Sequence, residues 1–121
     1  MALILIVDDS QFQRTTISSI LKKSGHEVIP AKGGVEGIEL AIEKKPDLII
    51  LDLLMPEFDG FEVLKELKRK SVDIPVLIAS ADIQDTSHDL CMELGAADFI
   101  NKPINHDKLT TAINRILGSR D

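Results

Sequence analysis

Asp47-Leu-Ile-Ile-Leu-Asp52, running on into Leu53-Leu-Met-Pro-Glu-Phe-Asp-Gly60, decides the fold of this chain. Leu48 to Leu51 is an unbroken apolar run with no polar residue alternating in it, so a strand here has to be covered on both faces. That is how a central strand of a parallel sheet reads. The run delivers one carboxylate, Asp52, at its C-terminal end. Pro56 and Gly60 then break the chain and turn it into the next element. An acid carried from a buried strand onto the rim of a sheet occupies the place where open α/β folds put their ligand sites. Asp52 is therefore the candidate nucleophile.

Outward from that stretch, short apolar runs alternate with longer segments of helical spacing. Leu3 to Val7 reads as the first strand. A helix follows from about Ser10 to Lys23, with Phe12, Ile17, Ile20 and Leu21 inward and Ser10 with Gln13 in the form of a capping box. Ser24-Gly25 ends it. His26 to Pro30 is a weaker strand, placed at an edge by its proline. Gly33-Gly34 leads into a second helix, Val35 to Lys44, with Val35, Ile38, Ala41 and Ile42 inward. After the Asp47–Asp52 strand, Asp59 can cap a third helix, Gly60 to Lys70, burying Phe61, Leu64 and Leu67. Ile74 to Ala79 is the fourth strand. A fourth helix, Gln84 to Leu94, buries Leu90, Cys91 and Leu94, and Gly95 ends it. Ala97 to Ile100 is a short fifth strand. Leu109, Ala112, Ile113, Ile116 and Leu117 mark the inner face of a fifth helix, His106 to Leu117. Gly118 to Asp121 reads as a frayed end. Five strands alternating with five helices imply βαβ units and a parallel sheet covered on both faces. No linker, repeat or low-complexity segment divides residues 1–121, so the expectation is a single domain.

Composition narrows the function. The chain has 121 residues, enough for a core, and a formal net charge of −6. An acidic chain with no basic patch argues against nonspecific nucleic-acid binding. It has no Trp, no Tyr and four Phe, too few for a base-stacking platform. One cysteine, Cys91, excludes an internal disulfide framework and is compatible with the cytoplasm. The opening Met1-Ala-Leu-Ile-Leu-Ile-Val7 lacks a basic leader and runs into two aspartates, so it reads as a strand and not a signal peptide. No apolar run approaches membrane-spanning length. His26, His88 and His106 show no metal-ligand spacing and read as surface residues.

The polar residues at the strand ends form a set. The first strand ends in Asp8-Asp9, the third in Asp52, the fourth in Ser80-Ala81-Asp82 and the fifth in Asn101-Lys102-Pro103. In a parallel sheet these ends share one rim. Two unit charges about 4 Å apart repel by about 4 kcal/mol at an effective dielectric near 20, so three carboxylates there need cations. Lys102 supplies one. Carboxylates, waters and a backbone carbonyl with room for a phosphate oxygen suit Mg²⁺. Such an ion clamps a phosphoryl group, and an Asp carboxylate can attack phosphorus to give an aspartyl phosphate.

Taken together, Val7-Asp8-Asp9-Ser10, Leu51-Asp52 with Met55-Pro56 and Asp59-Gly60, Ala79-Ser80-Ala81, Gly95-Ala96-Ala97-Asp98-Phe99 and Lys102-Pro103 resemble the receiver domain of bacterial two-component response regulators. The resemblance runs through essentially the whole chain. It implies a flavodoxin-like fold with strand order 2-1-3-4-5, an order for which the chemotaxis member of this family is a standard example. It implies Asp52 as phosphoacceptor, Asp9 as a direct Mg²⁺ ligand, Asp8 acting largely through water, and the Leu54 carbonyl as a further ligand. Lys102 would hold the phosphoryl group, with a cis bond to Pro103. Ser80 and Phe99 would be the switch pair that reshapes the surface of the fourth helix, fifth strand and fifth helix, where a protein target binds. A histidine kinase or phosphotransfer protein would be the donor. Leu54 and Asp82, two residues past the acceptor and the hydroxyl, would tune the phosphoryl lifetime. The role implied is signalling through protein contact, as in a motor regulator or a relay intermediate, and not enzymatic turnover.

Plainer readings exist for each residue. Asp8 and Asp9 would cap the first helix, Asp82 would cap the fourth, Ser80 would be a loop hydroxyl, Lys102 a solvated lysine and Phe99 a core aromatic. Phe99 also lacks the hydroxyl of the Tyr found in many such domains, so any rotation rests on packing. Two rival functions can be weighed. An aspartate-nucleophile phosphohydrolase of the haloacid-dehalogenase type carries a second Asp two residues past the nucleophile, where this chain has Leu54. A flavodoxin-like cofactor binder needs a phosphate cradle, whereas the loop Asp8-Asp9-Ser10-Gln11 is acidic and would repel flavin phosphate.

Overall fold

The structure is a computed structural model and describes residues 1–82 and 84–118. Its elements follow the expected alternation: β1 (Leu3–Val7), α1 (Gln11–Lys23), β2 (Glu27–Ala31), α2 (Gly34–Lys44), β3 (Leu48–Leu51), α3 (Gly60–Arg69), β4 (Val76–Ser80), α4 (Asp85–Glu93), β5 (Asp98–Asn101) and α5 (His106–Leu117). All strands pair in parallel in one sheet of order β2-β1-β3-β4-β5. β3 is the middle strand and is buried along its whole length, as its uninterrupted apolar run requires. Pro30 lies in β2, an edge strand, where a missing N–H breaks no ladder on the outer side. The expected frayed end falls partly on residues 119–121, outside the described residues.

The two-residue period of the strands sorts the core into two layers. Leu5, Val7, Ile49, Leu51 and Ile78 face α2, α3 and α4, where Ile38, Ala41, Leu64, Leu67 and Cys91 meet them. Ile4, Ile6, Leu48, Ile50 and Leu77 face α1 and α5, against Ile17, Leu21, Leu109, Ala112 and Ile113. Each fully buried Leu or Ile contributes about 1.5–3 kcal/mol relative to an exposed one, before the ordering of the chain is charged against it.

Four of the residues expected inward lie outside. Phe12 is 75% exposed, Val35 62%, and Ile42 and Leu90 are also on the surface. For α2 the cause is glycine. Gly34, Gly37, Ile38 and Ala41 form the buried face, and a Cβ on Gly37 would lie 2.7 Å from the Val7 side chain. The helix therefore packs on β1 through backbone and rotates Val35 and Ile42 away. In α3, Val63 joins the buried face, which sequence spacing left out.

Caps set the helix ends near the rim. Ser10 Oγ accepts from the Gln13 N–H at 3.3 Å. Asp59 and Glu62 form a reciprocal capping box at α3, Asp59 accepting from the Glu62 N–H and Glu62 from the Asp59 N–H, both at 3.0 Å. Asp82 is not the N-cap of α4; that place belongs to Gln84. Asp82 instead accepts from the Gln84 N–H at 3.0 Å and from Ser87 Oγ at 2.5 Å, bracing the turn before the helix.

Candidate functional site

Strand register brings the acidic residues together. Val7 pairs with Leu51 across β1 and β3, so the next residues, Asp8 and Asp52, leave the sheet side by side. The Asp52 N–H donates to the Val7 carbonyl at 3.0 Å, and the Asp8 N–H donates to the Ala31 carbonyl at 3.2 Å. On the other side Ser80 pairs with Asn101, and the Lys102 N–H donates to the Ser80 carbonyl at 2.8 Å. Main-chain bonds thus tie the ends of β1, β2 and β3 to one another and the end of β4 to that of β5.

On that rim, Asp8, Asp9 and Asp52 each offer a carboxylate oxygen within 4.8 Å of the other two. Lys102 Nζ donates to Asp8 Oδ2 at 2.9 Å and lies 3.6 Å from Asp52 Oδ1. Asp8 is buried; its Oδ1 accepts from the Ser10 N–H at 2.9 Å. Asp9 is exposed. Asp52 is only 6% exposed, and its Oδ1 accepts from the Leu54 N–H at 3.4 Å. The Lys102–Pro103 bond is cis.

Electrostatics follow from that geometry. Burial pushes the Asp52 carboxyl up to about 6; Lys102 opposes the rise, Asp8 adds to it, the Leu54 N–H opposes it and Asp9 adds to it. One ammonium against three carboxylates leaves the cluster net negative. The donor set is all hard oxygen, converges on one point and has an exposed member in Asp9. These features fit Mg²⁺, for which Asp8, Asp9 and Asp52 are the side-chain ligand candidates.

Ser80 is fully buried, and its Oγ accepts from the Asp82 N–H at 3.1 Å. Phe99 is half-buried on the layer that faces α4 and pairs in register with Ile78. Its ring meets that of His88 on α4, centroids 5.1 Å apart and tilted by 58°. Leu54 is 57% exposed beside Asp52, an apolar side chain standing in solvent at the rim. Cys91 is buried, and its thiol is raised to about 11, mainly by burial and then by Asp82. His26 departs from the expected surface role: it is half-buried, and its Nδ1 accepts from the Ala2 N–H at 3.0 Å. Burial and the positive chain terminus lower its pKa.

Two contributors escaped the sequence reading. Arg14 Nη1 donates to the Asp8 carbonyl at 2.7 Å and anchors the turn that carries Asp8 and Asp9. A cation on the first turns of the helix after an acidic strand end is the signal that pointed to it. His88 is the other, and nothing in its local sequence marks it as an aromatic partner.

A doubly wound parallel sheet with three carboxylates and a lysine converging at the C-terminal ends of its strands defines a flavodoxin-like α/β protein with an acidic, metal-competent rim site. The model of the response regulator receiver domain matches residues 4–114, and the chain belongs to that family. It is 36% identical over 119 residues to protein PilH of Pseudomonas aeruginosa, covering 97% of this chain and 98% of that one. It is 41% identical over 115 residues to the chemotaxis protein CheY of Bacillus subtilis, covering 94% and 96% respectively. Against the structure of the chemotaxis protein CheY4 of Vibrio cholerae the TM-score is 0.91 at 32% identity, over 97% of this chain and 99% of that one. A longer relative, the transcriptional regulatory protein PhoP of Bacillus subtilis, is matched over 48% of its length. Membership of this family places the chain in phosphorylation-dependent two-component signalling.

Proposed function

We propose that this receiver takes a phosphoryl group onto Asp52 from a histidine kinase or phosphotransfer protein and then binds a protein target through the face formed by α4, β5 and α5. The observation that carries this reading is the position of Asp52, buried at the end of the central strand, within 4.8 Å of two further carboxylates and 3.6 Å from Lys102 Nζ. In the transfer, a carboxylate oxygen of Asp52 bonds to phosphorus. The bond from phosphorus to the donor imidazole nitrogen breaks, and its electron pair stays on that nitrogen, which then takes a proton from solvent. Only the ionised carboxylate is nucleophilic, so a carboxyl raised to about 6 is competent at neutral pH and loses competence below it.

Lys102 bridges Asp8 and Asp52 and is placed to hold an oxygen of the new phosphoryl group. Asp8, Asp9, Asp52 and the Leu54 carbonyl would hold Mg²⁺, which when bound would neutralise charge on the phosphoryl oxygens. Ser80 Oγ, which accepts from the Asp82 N–H, turns to donate its O–H to a phosphoryl oxygen, and Phe99 shifts in response. That shift changes the surface between α4 and α5, since the ring lies against His88. Leu54 and Asp82 set how easily water reaches the acyl phosphate. The output is binding and not turnover, and we place the protein in the cytoplasm; no helix among the described residues is long and apolar enough to cross a membrane. Incubation with acetyl phosphate and Mg²⁺ followed by intact mass measurement tests the reading. One phosphoryl adduct, labile in base and absent in Asp52→Asn, is the expected outcome; an unmodified protein under conditions that modify a known receiver overturns it.

A further inference from the structure

The helix α1 contains no Asp or Glu, in a chain with 20 of them, whereas each of the other helices has at least one. Its three cations, Arg14, Lys22 and Lys23, join Lys32 from the turn after β2 along a groove of about 670 Å³ that crosses the β2 edge of the sheet. The one acid lining it, Glu36, is already engaged, its carboxylate accepting from the Lys32 N–H at 2.7 Å. A positive groove on a chain of net charge −6 is a segregated charge pattern, and it selects an anionic partner.

Spacing chooses among anions. Arg14 and Lys22 stand eight residues apart on one helix, about 12 Å by helical rise, with hydroxyls and the Pro30 ring between them. A single phosphate reaches one end only. An extended peptide rises about 3.3 Å per residue, so acidic residues about four apart match both ends. Strand addition to the β2 edge is interrupted, because Pro30 has no N–H, and recognition falls to side chains. Arg14 also holds the Asp8 carbonyl, so one end of the groove abuts the acidic rim. We propose that this groove docks an acidic segment of a protein partner, its carboxylates paired with Arg14 and Lys32 at one end and with Lys22 and Lys23 at the other. The site lies on the β2 edge, across the sheet from β5, so a partner here and a target on the face of α4, β5 and α5 can be held together. The proposal stands whether or not Asp52 is phosphorylated.

The test uses the full chain, labelled with ¹⁵N, and a fluorescent hexapeptide with a glutamate pair at each end and Ser and Ala between, which sets the pair centres four residues apart. Amide shifts are expected on α1 and at Lys32, with affinity falling as salt rises. Lys22→Gln, Lys23→Gln and Lys32→Gln combined should weaken binding about tenfold or more by anisotropy. The charge-reversed Glu triple variant should weaken it further, and circular dichroism of both variants checks their folding. Equal binding by either folded triple variant, equal binding of a peptide with Gln for Glu, or shifts centred on Lys65 to Lys70 of α3 would overturn the proposal. The same shifts produced by tripolyphosphate at equal concentration would also overturn it, by showing a free-anion site.

Discussion

Replacing Asp52 with Asn should stabilise the folded protein at neutral pH. The Asp52 carboxyl ionises near 3.8 in an unfolded chain and at about 6 in the folded one, because burial and the neighbouring Asp8 and Asp9 outweigh Lys102 and the Leu54 N–H. The folded state therefore binds this proton more tightly than the unfolded state does. The stabilisation it contributes is present in full below 3.8 and is lost as pH rises through 6. Above 6, keeping the group ionised in place costs about 3 kcal/mol. Asn has the shape of the neutral acid and cannot ionise, and Lys102 keeps its 2.9 Å bond to Asp8. Asp52→Asn is thus expected to be more stable by about 1–3 kcal/mol at pH 7, and by under about 1 kcal/mol at pH 4. Urea unfolding with a chelator present measures both differences. Circular dichroism is the probe, because the chain has no Trp. Saturating Mg²⁺ should narrow the gap at pH 7, since binding to the native state stabilises the wild type. Equal stability at pH 7, or a difference that grows as pH falls, would refute the reasoning.

Other outcomes follow from the same rim. Lys102→Met removes the cation that holds the Asp52 carboxyl down, so a ¹³C carboxyl titration should find it ionising above 6; the unpaired buried carboxylates should also cost the fold about 3 kcal/mol in urea without metal. Gly60→Ala should lower stability by about 1–3 kcal/mol and slow phosphorylation together, because the added Cβ would lie 2.6 Å from the Asp52 carbonyl oxygen, a main-chain atom that cannot step aside. Leu54→Asn places a hydrogen-bonding group beside Asp52 in place of an exposed apolar one; phosphoryl loss, followed by intact mass, should quicken by up to about tenfold. An unchanged or slower rate would remove Leu54 from the account.

The parts of this fold that were legible in the sequence are those written in side chains. Leu48 to Leu51 reads as a buried central strand because every residue in it is apolar, and its position fixes where Asp52 emerges. Parallel order then places Asp8, Asp9, Ser80 and Lys102 at the same rim, which is where they stand. The rotation of α2 was not legible, because Gly34 and Gly37 make its contacts with Phe58 and Val7 through the absence of a side chain. Hydrophobic spacing chose Val35 and Ile42 because it has no weight for such a contact. Phe12 was misplaced by spacing: it stands five residues before Ile17, about 140° round the helix from the buried stripe of Ile17 and Leu21, so its ring lies in solvent. The ring contact of His88 with Phe99 is tertiary, set by where α4 lies on the sheet, and no local pattern encodes it; the bond from Arg14 to the Asp8 carbonyl spans six residues, and its signal, a cation just after an acidic strand end, was there to be read.

The central claim is that Asp52 itself becomes the acyl phosphate. Borohydride reduction after treatment with acetyl phosphate and Mg²⁺ converts an aspartyl phosphate to homoserine, and peptide mapping then locates it. The account predicts homoserine at position 52 alone, dependent on Mg²⁺ and on prior phosphorylation. Homoserine at Asp8 or Asp9 with Asp52 intact, or none in a sample that carries a phosphoryl adduct, would contradict it.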